Sequence, residues 1–244
     1  GRDEIPALDD PRLVPVSEAG AEAGVVDIEP VVSVLVNGDA RAYPLRILMW
    51  HEIVNDVVGG VPVAVTYCPL CNSAVVFDRR LDGQVLDFGT TGRLRYSDLV
   101  MYDRQTESWW QQFLGEAIVG EMTGKTLTML PSRLESVARF RARAPKGTVQ
   151  VPTNARIRPY GRNPYAYYDS KSRPMLYRGD FPDGIEPMVR VVAIGDEAWS
   201  LPLLRNKGTI TQGDIVIRWV AGQNSALDTR LIAEGRDVGN IVVQ

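Results

Sequence analysis

The stretch Trp50–Asp78 (WHEIVNDVVGGVPVAVTYCPLCNSAVVFD) combines the clearest strand signals of the chain with its most reactive side chains. Val61–Tyr67 is apolar and β-branched and follows the turn signal Gly59-Gly60, and this pattern predicts a strand. Ala74–Phe77 predicts another strand. The segment Cys68–Cys71 between them, called the knuckle below, is therefore predicted to be a tight turn.

His51, Cys68 and Cys71 are the only histidine and the only two cysteines in the chain. Thiolate sulfur and imidazole nitrogen together suit copper or zinc, whereas magnesium and calcium prefer oxygen ligands. A metal site is the leading interpretation, and two others stay open. The cysteines could form a reversible dithiol/disulfide pair with His51 as a base, or all three side chains could be packed structural residues.

His51 is predicted to lie on a helix. Pro44 suits the first helical turn, and the apolar residues after it are spaced as in an amphipathic helix that ends near Asn55-Asp56. A helix packed on the strand that ends at Cys68 would bring the imidazole to the thiolates. The prediction of a shared site for His51, Cys68 and Cys71 depends on that packing.

Copper is the leading candidate for the ion, held by His51, Cys68 and Cys71 with Met101 as a weak axial ligand. Such a site would serve redox chemistry or copper handling, although a methionine in a strand-like run is more often a core residue. Zinc is the alternative. Two thiolates, one imidazole and a water form an open catalytic arrangement, in which Glu52 would act as general acid or base.

Two functions compete with the copper protein. In one, Cys68 and Cys71 are the catalytic residues of a metal-free thiol–disulfide protein. Thioredoxin-like enzymes place their CxxC at a helix N-terminus, and no helix-forming run follows Cys71. In the other, the chain is a non-enzymatic module with a structural zinc. The sequence leaves open whether the protein is an enzyme, and which small molecule or metal donor it meets.

Composition indicates a globular protein. The chain has 244 residues, of which 45% are hydrophobic, so it can bury a substantial core. Its net charge of −3 gives no electrostatic reason to expect a nucleic-acid partner. No apolar run is long enough to span a bilayer, and two cysteines spaced as CxxC do not form a disulfide framework.

Short strands separated by turns dominate the rest of the sequence. Val31–Val36 and Asp39–Tyr43 flank Asn37-Gly38, a hairpin signal because a type I′ turn needs positive φ at both central positions. Further strand-like runs are Gln84–Phe88, Leu94–Tyr102, Trp109–Leu114 and Lys125–Leu130. Ser132–Glu135 is a capping box that predicts a helix ending before Pro145, and Pro152–Pro182 predicts a covering loop. The pattern as a whole predicts a mainly β (α+β) fold with few short helices.

The predicted organisation is an irregular lead-in over residues 1–30 followed by one β-rich globular domain over 31–244. One interpretation divides this domain into two related β-rich units, at about 31–88 and 188–244, with 89–187 as a middle segment.

An internal echo motivates that division. Val34–Leu45 lines up with Val192–Leu203, and Asn72-Ser73-Ala74 recurs as Asn224-Ser225-Ala226. Echoes of this kind are typical of a duplicated unit. The second copy lacks the histidine and the cysteines, which indicates that these ligands serve function rather than folding.

Four long motifs resemble those of a prokaryotic family known as domain-of-unknown-function family 3179: RAYPLRILMWHEIVND, PVAVTYCPLCNSAVVFDRR, DLVMYDRQTESWW and ALDTRLIAEGRDVG. The resemblance covers about the whole chain from Val31. It implies that His51, Cys68 and Cys71 occupy motif positions of the family, with Asn72 where glycine is typical. Members commonly carry an export signal or lipoprotein leader, so it also implies an extracytoplasmic location; the sequence as given has no leader.

Overall fold

The computed structural model describes residues 1–244 and consists mainly of short strands. The strands are β1 (Leu8–Asp9), β2 (Leu13–Pro15), β3 (Pro30–Val36), β4 (Asp39–Pro44), β5 (Ile53–Val58), β6 (Val61–Cys68), β7 (Ser73–Asp78), β8 (Arg80–Leu81), β9 (Gln84–Val85), β10 (Phe88–Arg95), β11 (Asp98–Asp103), β12 (Trp109–Gln111), β13 (Glu116–Val119), β14 (Met129–Leu130), β15 (Ser132–Ser136), β16 (Thr148–Gln150), β17 (Val191–Ile194), β18 (Glu197–Ser200), β19 (Thr209–Gln212), β20 (Ile215–Val220) and β21 (Asn240–Val243). The helices are α1 (Ala19–Ala23), α2 (Leu45–His51), α3 (Val137–Arg143) and α4 (Leu201–Lys207), with 3₁₀ turns at Tyr168–Ser170 and Ile232–Glu234. The predicted mainly β fold with few short helices is confirmed.

Three sheets form most of the fold. The central sheet has the strand order β1-β5-β6-β7-β14, the second sheet β15-β3-β4-β16-β2, and the third sheet β10-β11-β12-β13. The C-terminal part adds the sheet β19-β20-β21, and β8-β9 and β17-β18 are separate hairpins.

The central sheet is covered on both faces. Val63, Val65 and Tyr67 of β6 belong to an apolar cluster shared with β3, β4 and α2. Ala64 and Cys68 belong to a second cluster, which includes side chains of the third sheet. Since successive side chains of a strand point to opposite faces, this alternation directs Cys68 toward the third sheet.

The hairpin predicted at Asn37-Gly38 is confirmed. Asn37 and Gly38 both have positive φ between β3 and β4, as a type I′ turn requires. Asp82 and Gly83 form the same kind of turn between β8 and β9. β6 and β7 pair antiparallel on either side of the knuckle, which is the tight turn that the sequence predicts.

Helix α2 begins where the sequence predicts but ends earlier. Its last residue is His51, and Glu52 then takes a positive φ of 59°. The prediction of a helix that runs to Asn55-Asp56 is wrong, because the residues after Glu52 form β5 and pair with β6 through the Gly59-Gly60 turn. Their β-branched side chains favour that strand. His51 therefore lies at the helix end rather than at its middle.

The helix predicted to open at Ser132 and end before Pro145 begins later than expected. These residues form β15, which pairs antiparallel with β3. The helix α3 begins at Val137, where the side chain of Ser136 accepts the N–H of Arg139 as an N-cap. A capping box is a local signal, and pairing with an available strand edge overrides it.

The first 30 residues contain three short elements. β1 and β2 each join a large sheet, and α1 lies between β2 and β3. Val14, Val16 and Ala19 pack in a third apolar cluster together with Phe140 of α3. By contrast, residues 152–182 contain no strand and only one 3₁₀ turn, as the predicted loop requires.

The C-terminal part repeats an order of elements found near the N-terminus. The hairpin β3–β4, the seven-residue helix α2 and the hairpin β5–β6 correspond in order to β17–β18, the seven-residue helix α4 and β19–β20. The residue after each helix has positive φ, Glu52 in the first case and Gly208 in the second. Duplication itself stays a prediction.

Candidate metal site

The knuckle brings the two thiols together. Cys68 ends β6 and pairs with Ser73, the first residue of β7. Asn72 closes the turn with a φ of 50°, and its side-chain oxygen accepts the hydroxyl of Tyr67 at 3.0 Å. The Sγ atoms of Cys68 and Cys71 lie 3.0 Å apart, and both thiols are free.

A turn of the third sheet meets the knuckle. Tyr96-Ser97 joins β10 to β11 with φ values of 52° and 71°, as in a type I′ turn. The backbone oxygen of Ser97 lies 3.7 Å from Sγ of Cys68 and 3.5 Å from Sγ of Cys71. Asp98 follows the turn, and its Oδ1 accepts the thiol of Cys71 at 3.2 Å.

Asp98 supplies the third side chain of this site that could bind a metal ion, and it is 4% exposed. Its Oδ2 accepts the N–H of Phe113 at 2.9 Å, so that Oδ1 is the oxygen that faces the knuckle. Burial raises the pKa of Asp98, and the hydrogen bonds from Phe113 and Cys71 oppose that effect. No arginine or lysine neutralises the carboxylate.

The two thiols differ in their surroundings. Cys68 is buried in the second apolar cluster, whereas Cys71 reaches the surface. The hydrogen bond with Cys68 raises the pKa of Cys71, and burial and the charge of Asp98 raise it further. These effects favour the protonated thiol of Cys71 over the thiolate. The ligand atoms of Cys68, Cys71 and Asp98 all lie within 4.8 Å of one another, close enough to hold a metal ion.

His51 has other partners. Its Nδ1 lies 2.8 Å from the carbonyl oxygen of Pro6, and its Nε2 lies 2.7 Å from the hydroxyl of Tyr160. A carbonyl only accepts, so Nδ1 carries the proton and Nε2 accepts from Tyr160. Burial lowers the pKa of His51, which favours this neutral form. His51 does not belong to the group of ligand atoms above, and metal binding by its ring, which stays a prediction, would require the loss of one of these hydrogen bonds.

The sequence matches over residues 2–244 the family described as "Protein of unknown function (DUF3179)". The chain belongs to this family. The match covers nearly the whole chain and confirms the resemblance read from the four motifs. No curated protein and no solved structure matches the chain.

Met101 of this DUF3179 protein lies in β11 and is fully buried in the same apolar cluster as Cys68. Met101 is surrounded by the apolar side chains of this cluster, such as Leu99 and Trp110, which is the placement of a core side chain. Its role as an axial ligand stays a prediction.

Glu52 is 8% exposed, and no side-chain or backbone group donates a hydrogen bond to its carboxyl group. Burial raises the pKa of Glu52 from 4.5 to about 7. Burial, together with the charges of Glu52 and Cys68, raises the pKa of Tyr165 to about 12. Glu52 and Tyr165 are thus ionisable side chains outside the group of potential metal ligands.

Asp98 was not predicted from the sequence to be a metal ligand. The residue opens the motif DLVMYDR, which is one of the four family motifs, but the turn before it contains neither glycine nor asparagine. Tyr96-Ser97 therefore gave no hairpin signal. Without that hairpin, nothing in the sequence places Asp98 beside the knuckle of this DUF3179 protein.

No helix of the DUF3179 protein is both long and apolar enough to cross a membrane. Nothing in its charge or its fold points to a nucleic-acid partner.

Proposed function

We propose that the protein binds one metal ion through Cys68, Cys71 and Asp98, and that this ion is central to its function. The observation that carries the proposal is the convergence of two sulfurs and one carboxylate oxygen within 4.8 Å of one another. The three donors come from two turns of different sheets, the knuckle and the turn before Asp98.

The charge of the site supports a cation. Two thiolates and a carboxylate would carry three negative charges, and no cationic side chain pairs with Asp98. Such a group must keep its protons or exchange them for an ion, because buried charges need a partner. A divalent metal supplies the partner and releases the thiol protons.

The donor set favours zinc over copper. Thiolates suit both Zn²⁺ and Cu(I), but a carboxylate oxygen is a common zinc ligand and a poor one for the softer Cu(I). The expectation of copper depended on an imidazole in the site, and Asp98 takes that place in the proposed set. Three protein ligands also leave the fourth position of a tetrahedral zinc open to water or a substrate.

Glu52 completes the proposal as a proton-transfer group. A carboxyl group with a pKa of about 7 suits general acid–base work at neutral pH. Its burial and its lack of a hydrogen-bond partner support that role. The family resemblance alone supports our further proposal that the protein works outside the cytoplasm.

One distance favours a second candidate function. Two sulfurs on a tetrahedral zinc, each bound at about 2.3 Å, lie about 3.8 Å apart, whereas Sγ of Cys68 and Sγ of Cys71 lie 3.0 Å apart. If the two sulfur atoms moved closer, to about 2.0 Å, they could form a disulfide. The two thiols would then lose two protons and two electrons to an external disulfide, which becomes two thiols.

Metal analysis with thiol titration separates these candidates. Protein purified without added metal is analysed for zinc and copper, and its free thiols are counted before and after incubation with oxidised glutathione. We expect about one zinc per chain. Asp98→Asn should lower occupancy at limiting zinc by about tenfold or more, and Cys68→Ser/Cys71→Ser should abolish it.

Asp82→Asn is the matched control, because Asp82 is exposed and pairs only with Lys125. It should keep full occupancy. Negligible metal in the unaltered protein, together with a reversible loss of both thiols, would replace the zinc proposal by the thiol–disulfide one. Full occupancy by copper instead of zinc would restore the first expectation from the sequence.

A further inference from the structure

A cavity of about 380 Å³ lies in the C-terminal part of the chain. Its wall includes Arg190, α4 with Arg205, and Trp219 of β20. None of the three proposed metal ligands lines it. A volume of this size is in the range of small-molecule sites.

Arg190 presents unused hydrogen-bond donors in this wall. Only its Nη2 bonds the protein, at 2.7 Å from Oγ of Ser225 and 3.4 Å from Oδ2 of Asp169. The Nε–H and the Nη1 hydrogens have no protein partner, although the side chain is only 20% exposed. Burial lowers the pKa of Arg190, a sign that its positive charge is incompletely compensated. A guanidinium with a free edge is suited to hold a carboxylate or a phosphate with two parallel hydrogen bonds.

Three acidic residues line the cavity, and two of them, Asp169 and Asp237, are paired within the protein, whereas Glu186 forms no ion pair. Asp169 accepts the hydroxyl of Ser225 at 2.5 Å and pairs with both Arg190 and Arg236. The carboxylate of Asp237 accepts three backbone N–H groups. Arg205, in contrast, forms no ion pair, and its guanidinium lies 5.3 Å from the ring centre of Trp219.

The apolar part of the wall is flat and held in place. The indole N–H of Trp219 donates to the backbone oxygen of Val238 at 2.8 Å. The close approach of Gly239 needs the absence of a side chain there, since a Cβ would lie 2.1 Å from the indole nitrogen. Met188 and Leu201 also line the cavity.

We propose that this cavity binds a small organic anion, a carboxylate or phosphate on a flat apolar body. Arg190 holds the anionic group, Arg205 supplies further positive charge, and Trp219 packs against the apolar body.

Binding of phenyl phosphate to the whole protein tests this proposal. The chemical shift of the Trp219 indole N–H, assigned with Trp219→Phe, localises the binding in NMR titrations. We expect saturable binding that Arg205→Gln weakens by about tenfold. The site should prefer phenyl phosphate over neutral phenol and cationic benzylamine.

Arg218→Gln is the matched control, since Arg218 precedes Trp219 on β20, is exposed and does not line the cavity. Arg205 is exposed as well, so its replacement should leave the melting temperature unchanged, which circular dichroism checks. No saturation with phenyl phosphate, equal affinity for phenol, or equal weakening by Arg218→Gln would each overturn the proposal.

Discussion

Glu52 combines two unfavourable features at a single residue. It takes a φ of 59°, which costs a residue with a Cβ of order 1 kcal/mol or more, and it buries a carboxyl group without a hydrogen bond. At the corresponding position after α4, Gly208 adopts a φ of 71° without that cost. Unfavourable local choices of this kind persist where function requires them.

Replacement of Glu52 by glutamine should change how stability depends on pH. The folded pKa of about 7 lies above the ordinary value of 4.5, so between these values the native state binds more protons than the unfolded state. Stability therefore falls as pH rises from about 4.5 to 7, by up to about 3 kcal/mol. The free energy of unfolding in urea, measured at pH 5 and pH 8, should show this loss in the unaltered protein and not in Glu52→Gln.

The exposed Glu121 provides the control for this prediction. Glu121→Gln should keep the pH dependence of the unaltered protein. Parallel stability curves for Glu52→Gln and the unaltered protein between pH 5 and 8 would show that the carboxyl group titrates normally, and Glu52 would lose its proposed role in proton transfer.

At the scale of elements, the site is the meeting of two turns. The knuckle closes with Asn72, which tolerates positive φ. The other turn places Tyr96 and Ser97, two residues that avoid this region, at φ values of 52° and 71°. Its backbone directs the Ser97 oxygen and the Asp98 carboxylate to the thiols, so the strained turn positions one of the three proposed donors.

Tyr96→Asn should relieve part of that strain. Asparagine favours the left-handed region, so we expect a gain of about 0.5–1 kcal/mol in the free energy of unfolding, with unchanged metal content. Tyr96 is 63% exposed, and its ring lies 6.4 Å from that of Tyr177. Tyr96→Ala loses the same ring contact without the turn preference, and it serves as the control. Equal stability of the two variants in urea denaturation would contradict the strain.

At the scale of the whole molecule, the site lies at the edge of a large core. The central sheet separates two apolar clusters, of sixteen and twelve buried residues. Cys68 is the one proposed ligand that belongs to either cluster. The core is therefore large enough to hold the fold without an ion, unlike small zinc modules that unfold when the metal is removed.

Metal binding should thus raise stability without being required for folding. Zinc at 100 times its dissociation constant should stabilise the protein by about 2.7 kcal/mol, which corresponds to about 5–10 °C in melting temperature for a chain of this size. Chelator-treated protein should keep its circular dichroism spectrum and melt cooperatively at the lower temperature.

The variant Cys68→Ser/Cys71→Ser should show no shift on addition of zinc. Loss of the folded spectrum after chelation would contradict the expectation, and it would instead support the structural zinc that the sequence left open.

Much of the local structure followed from the sequence. Alternating β-branched residues and glycine or asparagine turns identified β3, β4, β6 and β7, because strand pairing and turn geometry depend on neighbouring residues. The same signals placed Cys68 and Cys71 on one tight turn, and sequence motifs identified the family. The predicted C-terminal boundary of α2 was wrong, because the residues after Glu52 pair with β6 as strand β5 and do not continue the helix.

Which side chains meet at the site was decided by the tertiary structure. Oδ1 of Asp98 lies 3.2 Å from Sγ of Cys71 because the third sheet packs on one face of the central sheet. The strained turn of the third sheet then reaches the knuckle. Two segments outside the sheets supply the hydrogen-bond partners of the His51 ring, Pro6 near the N-terminus and Tyr160 in the long loop. The sequence by itself supplied the ligand types and the turn that pairs the thiols. The position of the third ligand, Asp98, depended on contacts between two sheets. These contacts join residues about thirty positions apart in the sequence, which no local periodicity encodes.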